Sequence, residues 1–141
     1  MKIHTSPKND VSVWIQNGLL LCQLSCWLSI ENYEAIRELL THRGHDLVSE
    51  TDTEVLAHFI EEIQMSTGLD LPNAVRTALK EVIGAYALVV LDQTQPDRLI
   101  AARKSSPLVI GIGEDNEFFV GSDATPIVAH TKNVVYLEDE E

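Results

Sequence analysis

From Asp10 to Ile15 the chain reads DVSVWI, with Val11, Val13 and Ile15 alternating against Ser12 and Trp14. A period of two marks a half-buried strand, and Asn17-Gly18 just after it marks a tight turn. Leu19 to Ile30, LLLCQLSCWLSI, is the strongest apolar run, interrupted by Gln23, Ser25 and Ser29 and too short to cross a bilayer. If that run is helical, Cys22 and Cys26 lie one turn apart as small buried side chains. Helical spacing is plain further on. Glu31 to Arg43 places Tyr33, Ile36, Leu39 and Leu40 on one stripe and stops at Gly44. Thr51 to Glu54 has the spacing of a capping box, ahead of a helix whose buried face is Val55, Phe59, Ile60 and Ile63. Asp70 and Pro72 open a third helix carrying Leu71, Val75, Ala78, Leu79 and Val82, with Gly84 expected to close it.

Tyr86 to Leu91, YALVVL, is apolar on both faces and predicts a central strand covered above and below. Gln93 to Asp97 reads as a turn. Leu99 to Ala102, Leu108 to Ile112, Glu117 to Val120 and Val134 to Leu137 follow as short strand-prone runs. Helices first and strands late predict an α+β fold, with helices packed on a sheet.

Composition narrows the function classes. The chain's 141 residues suffice for one core, and a formal net charge of -12 repels phosphate backbones and anionic lipid headgroups, so neither nucleic acid nor a membrane is an expected partner. No secretory signal pattern precedes the apolar run, and the expected location is cytoplasmic. No cofactor is expected and no metal. The two cysteines stand without further ligands in their segment, and Glu54 and His58, one helical turn apart near Asp52, read as part of a solvated polar face. His42, His45 and Asp46 fit the C-terminal end of a helix and its turn. Ser122-Asp123 lacks a nearby base, and Gly111 with Gly113 is too sparse for a phosphate loop.

Two places carry candidate chemistry. In Ser49-Glu50-Thr51-Asp52-Thr53-Glu54, either Thr51 or Asp52 caps the helix, which needs no ligand, or one carboxylate pairs with a ligand ammonium. Asn17-Gly18 is a turn, or else its side-chain amide and backbone N–H form an oxyanion hole.

Three segments together carry a resemblance: IENYEAIRELLTHRGHDLVSETDTEVLAHFIEE from Ile30, GAYALVVLD from Gly84, and LIAARKSSPLVIGIGEDNEFFVGSDATPI from Leu99. In this order they resemble the glutaminase domain of the glutamine:fructose-6-phosphate amidotransferases, the glucosamine-6-phosphate synthase family. HTSPKNDVSV, from His4 to Val13, resembles the stretch that leads into that family's His-Asn-Gly motif. The resemblance implies an N-terminal-nucleophile hydrolase fold, here a partial αββα sandwich of antiparallel sheets with helices outside. It also implies that Asp52 binds the α-amino group of L-glutamine, and that Asn17 and Gly18 form the oxyanion hole.

In that family an N-terminal cysteine attacks the glutamine amide with its own α-amino group as base, and the ammonia passes to a separate sugar-phosphate domain. Here Gln16 replaces the motif's histidine, and LCQLSCWLS intervenes before Ile30-Glu31-Asn32-Tyr33. Met1 is followed by Lys2, and both cysteines are internal. The expectation is therefore a single incomplete glutaminase-like domain over residues 1–141, atypical or inserted over 1–29 and family-like over 30–141. It should be inactive alone for want of its nucleophile. The alternative is a noncatalytic αβ module that self-associates, or binds a protein, through an exposed apolar sheet face.

Overall fold

A computed structural model describes residues 2–5, 12–16, 19–23, 28–114 and 117–139, the first three segments as backbone strands. The elements run β1 (Lys2–Thr5), β2 (Ser12–Gln16), β3 (Leu19–Gln23), β4 (Ser29–Ile30), α1 (Tyr33–His42), α2 (Asp52–Thr67) and α3 (Leu71–Glu81). They continue with β5 (Gly84–Asp92), β6 (Gln95–Lys104), β7 (Val109–Ile112), β8 (Glu117–Gly121) and β9 (Val134–Tyr136). The strands form two sheets. One has the order β1-β8-β7-β9; in the other β2, β3, β5 and β4 join, with β6 on the free edge of β5. All pairings are antiparallel except β1 with β8, which is parallel.

β5 organises the core because its side chains alternate between two apolar environments. Tyr86, Leu88 and Val90 join the helices in one cluster with Leu40, Leu56, Ile60 and Val75. Ala87 and Val89 turn the other way, onto Leu108, Val120 and Leu137 of the second sheet. β6 repeats the alternation, with Ile100 and Ala102 toward the helices and Leu99 and Ala101 toward the sheet. This is the two-sided burial expected for YALVVL. Ile127, in the turns after β8, packs on Val109 and Phe119 and covers the far face of the second sheet. Gly111 makes room for that cover, since a Cβ there would lie 2.4 Å from the Ile127 Cγ2.

Local structure departs from expectation at four places. Leu19–Gln23 is a strand rather than a helix, hydrogen-bonded on one side to β2 and on the other to β5. Ladders on both edges satisfy its backbone as fully as a helix would, so strand pairing overrides the helical preference of leucine. Gly84 does not close α3, which ends at Glu81; it opens β5 at φ 138°, where a Cβ would stand 1.8 Å from the Ser29 carbonyl oxygen. The turn predicted over Gln93 to Asp97 narrows to Gln93-Thr94, held by Asp92 Oδ1, which accepts from Thr94 N at 2.7 Å. Pro96 falls within β6, which pairs only with β5 among the described residues, and an edge strand tolerates proline. Finally, Glu54 and His58 are not on a solvated face: they are 0% and 2% exposed.

Asn32 accounts for how α3 stops without a glycine. Its Nδ2 donates to Glu81 O at 2.8 Å and its Oδ1 accepts from Ile83 N at 3.0 Å. One side-chain amide thus satisfies groups at the end of α3 while standing at the start of α1. No helix among the described residues is long and apolar enough to cross a membrane.

Candidate functional site

The connection from α1 to α2 is shaped by its own polar side chains. Thr51 is the N-cap, and its Oγ1 accepts from Glu54 N at 3.3 Å. In a complete capping box Glu54 would reach back to Thr51 N. Instead its carboxylate accepts from Val48 N and Ser49 N, both at 2.6 Å, and from the Ser49 hydroxyl. Ser49 Oγ takes the vacated role, accepting from Thr51 N at 3.3 Å. From α1, Arg37 donates to Ser49 O at 2.7 Å and to Tyr33 Oη at 2.8 Å. Val48 and Ser49 are therefore gripped from both helices.

That grip decides where Asp52 goes. As the first residue of α2 it is half-buried, and its Oδ2 accepts from Ile30 N at 3.0 Å, across the junction between β4 and α1. Thr51 does the capping, which leaves Asp52 aimed at the strand end rather than at its own helix. A carboxylate has about four acceptor positions, so the bond to Ile30 leaves capacity for a ligand cation.

Asn17 and Gly18 lie outside the described residues. Their neighbours Gln16 and Leu19 pair with each other, and Leu19 meets β5 at Asp92. Ile30, which donates to Asp52, meets β5 at Gly84. Those two points are separated by the length of β5, about 26 Å at the rise of an extended strand. Between the pairings Gln23↔Leu88 and Ser29↔Ala85, five residues of the chain separate Gln23 from Ser29 where two separate Ala85 from Leu88.

A second polar group lies deeper on α2. Burial raises the Glu54 carboxyl, but the hydrogen bonds from the Ser49 hydroxyl, Val48 N and Ser49 N, and the nearby His58, outweigh it and hold the acid below its ordinary range. His58 is pushed the other way, toward neutrality, by burial first and then by His45, with Glu61, Glu54 and Asp46 opposing. The His45 and His58 rings meet edge to face, with centroids 5.1 Å apart. His45 is thus more than a turn residue. Sequence reading missed its pairing with His58 because the two are joined only when α1 and α2 pack. Asp123, by contrast, accepts from Thr125 N at 2.9 Å and Thr125 Oγ1 at 3.0 Å, and so shapes a turn.

A groove of about 510 Å³ between α3 and β6, lined in part by Arg76, Lys80, Tyr86 and Lys104, contains no residue of the Asp52 region.

Comparison with known proteins places these elements in a family. The glutamine amidotransferase domain family matches residues 22–129, a span that holds Asp52 and begins beyond Asn17-Gly18. The glutamine–fructose-6-phosphate aminotransferase (isomerizing) of Bacteroides thetaiotaomicron is 58% identical over 112 residues, covering 79% of this chain and 18% of the relative. That of Chlorobaculum tepidum is 45% identical over 139 residues, covering 98% of this chain and 21% of the relative. The chain thus spans about a fifth of the length of these relatives. Among solved structures, the glutamine phosphoribosylpyrophosphate amidotransferase of B. subtilis, complexed with ADP and GMP, superposes with a TM-score of 0.66 at 26% identity, covering 92% of this chain and 27% of that one.

Proposed function

Because this chain belongs to the glutamine amidotransferase domain family, and within it matches the glutaminase region of the glutamine–fructose-6-phosphate aminotransferases, we propose that its site recognises L-glutamine through Asp52. The observation that carries this reading is the orientation of Asp52. The helix is capped by Thr51, so the carboxylate of Asp52 is directed across to Ile30 N, where β4 meets the first turn of α2. A primary ammonium would complete its hydrogen bonding as a charge-assisted pair.

Residues 30–141 form the family-like part of this proposal, and residues 1–29 an altered part. The mismatch of five residues against two between the β3 and β4 pairings with β5 supports that division. Asn17 and Gly18 remain the proposed oxyanion donors. Their flanking residues meet β5 at the end away from Asp52, so bringing the two together requires a different register of β3. The reaction proposed for the whole enzyme is release of ammonia from glutamine for transfer to fructose 6-phosphate, in the cytoplasm. The 141 residues hold cysteines only at 22 and 26, so a polypeptide of these residues alone is expected to bind glutamine without cleaving it. Calorimetric titration with L-glutamine, paired with an ammonia assay, tests both halves. Saturable binding without ammonia supports the proposal, and ammonia release overturns its noncatalytic half.

One observation favours the second reading, self-association. Ile112, Val135 and Tyr136 are exposed on β7 and β9, along one edge of the second sheet. Light scattering of the purified chain discriminates: a dimer dissociated by Tyr136→Lys supports association through this edge, and a monomer removes it.

A further inference from the structure

Behind the loop that presents Asp52 lies a set of side chains that glutamine recognition does not use. His45 comes from the connection after α1 and His58 from α2, and their Nδ1 atoms stand 3.0 Å apart. Glu61 Oε2 is 3.7 Å from the His58 Nδ1 and 4.0 Å from the His45 Nδ1. A triangle with these sides has a centre about 2.1 Å from every corner, the length of a zinc bond to imidazole nitrogen or carboxylate oxygen. The side chains are 10%, 2% and 14% exposed, so the point they surround is screened from solvent.

The outer ring nitrogens strengthen the case. His45 Nε2 is 2.9 Å from Glu62 Oε2, and His58 Nε2 is 3.9 Å from Glu54 Oε1. The Glu62 carboxylate at 2.9 Å holds the His45 ring proton on Nε2 and leaves His45 Nδ1 with its lone pair, the arrangement typical of metal-binding histidines, while Glu54, at 3.9 Å, adds negative charge beside the His58 ring without bonding it. The His45 Nδ1 lone pair faces the His58 Nδ1 at 3.0 Å, close enough for one cation to be shared by both nitrogens. A proton between the rings would bridge them without any third donor. The Glu61 carboxylate at the third corner completes a donor set of two imidazoles and one carboxylate. Glu54 and Glu62 supply further negative charge next to it.

We propose that His45, His58 and Glu61 bind a divalent transition-metal ion of the zinc class, with Glu62 orienting the His45 ring. The role is structural. His58 lies six residues beyond Asp52, about 9 Å along the axis of α2, too far for a ligand at Asp52 to reach the metal directly. The ion would instead tie the α1–α2 connection to α2 on the far side of Val48 and Ser49, the segment that Glu54 and Arg37 already hold. The proposal is independent of glutamine recognition, and its test uses none.

The metal-free 141-residue chain is titrated with Zn(II) in competition with a chromophoric chelator, and separately with Co(II). The expected result is one equivalent of Zn(II) bound with micromolar or tighter affinity, and visible ligand-field bands of low-coordinate Co(II). His45→Asn and Glu61→Gln should each abolish stoichiometric uptake, Glu62→Gln should weaken it about 10-fold, and His42→Asn, at the exposed end of α1, should leave it unchanged. Imidazole nitrogen spectra of the zinc form should show both rings metallated at Nδ1 and protonated at Nε2. His45 lies in a connection rather than in a helix, so its variant retains the helical core even if a His58 variant does not fold. Absence of uptake, or uptake that survives both His45→Asn and Glu61→Gln, overturns the proposal.

Discussion

Glu54 occupies the third position of α2, fully buried, with its carboxylate bonded to Val48 N, Ser49 N and the Ser49 hydroxyl. Glu54→Gln replaces one acceptor oxygen with a donor that faces another donor, leaving a buried N–H unsatisfied. The expected cost is about 2–3 kcal/mol, measured by urea denaturation. Asp139 behaves differently because it is exposed. Ser105 N, 2.6 Å away, and the Arg103 guanidinium, at 2.8 Å, hold its carboxyl below the ordinary aspartate value. Since the folded value is the lower one, the stability this contact adds is complete above the ordinary value and is lost as pH falls through the depressed one. A carbon-detected pH titration should show Asp139 titrating below the ordinary aspartate value, and Arg103→Ala should move it upward. At this scale the sequence showed a capping-box spacing from Thr51 to Glu54 with Thr51 or Asp52 as the cap, and the structure gives that role to Thr51. It did not show where Glu54 turns, because Val48 and Ser49 reach the carboxylate only through the path of the preceding connection.

Among the elements, the joint between β4, α1 and α3 depends on two residues. Gly84 has φ 138° and would place a Cβ 1.8 Å from the Ser29 oxygen. Gly84→Ala should therefore destabilise by at least about 2 kcal/mol and separate β4 from β5, visible as faster amide exchange at Glu31 and Ile83. Asn32→Ala removes both bonds to the end of α3, and because that site is partly solvated the expected loss is about 1 kcal/mol in thermal or urea unfolding. The second and third helices were legible because each combines a cap with a stripe: Asp70 accepts from Asn73 N at 3.2 Å, and Leu71, Val75 and Ala78 are buried as the spacing requires. β3 was not legible as a strand. An apolar run without period takes its structure from its neighbours, and here β2 and β5 supply hydrogen bonds on both sides.

For the whole molecule, α+β layering was readable from YALVVL, whose two apolar faces require cover on both sides; the helices and the second sheet supply it. The second helical layer of a full αββα sandwich is not found among the described residues, where turns around Ile127 cover the far sheet face instead. The two candidate sites illustrate the same limit. Asp52 could be placed because a cap and a helix fix it locally, whereas the relation of Asn17-Gly18 to it depends on the register of β3 against β5. The function proposed for this chain reduces to whether the carboxylate of Asp52 receives an amino-acid ammonium. The most direct test is an amide-resolved titration of the 141-residue chain with L-glutamine and with N-acetyl-L-glutamine, which keeps the side-chain amide and carboxylate but lacks the ammonium. The predicted result is saturable shifts at Ile30 and Asp52 with L-glutamine only, absent in Asp52→Asn; equal shifts with both compounds, or shifts that persist in that variant, would contradict the account.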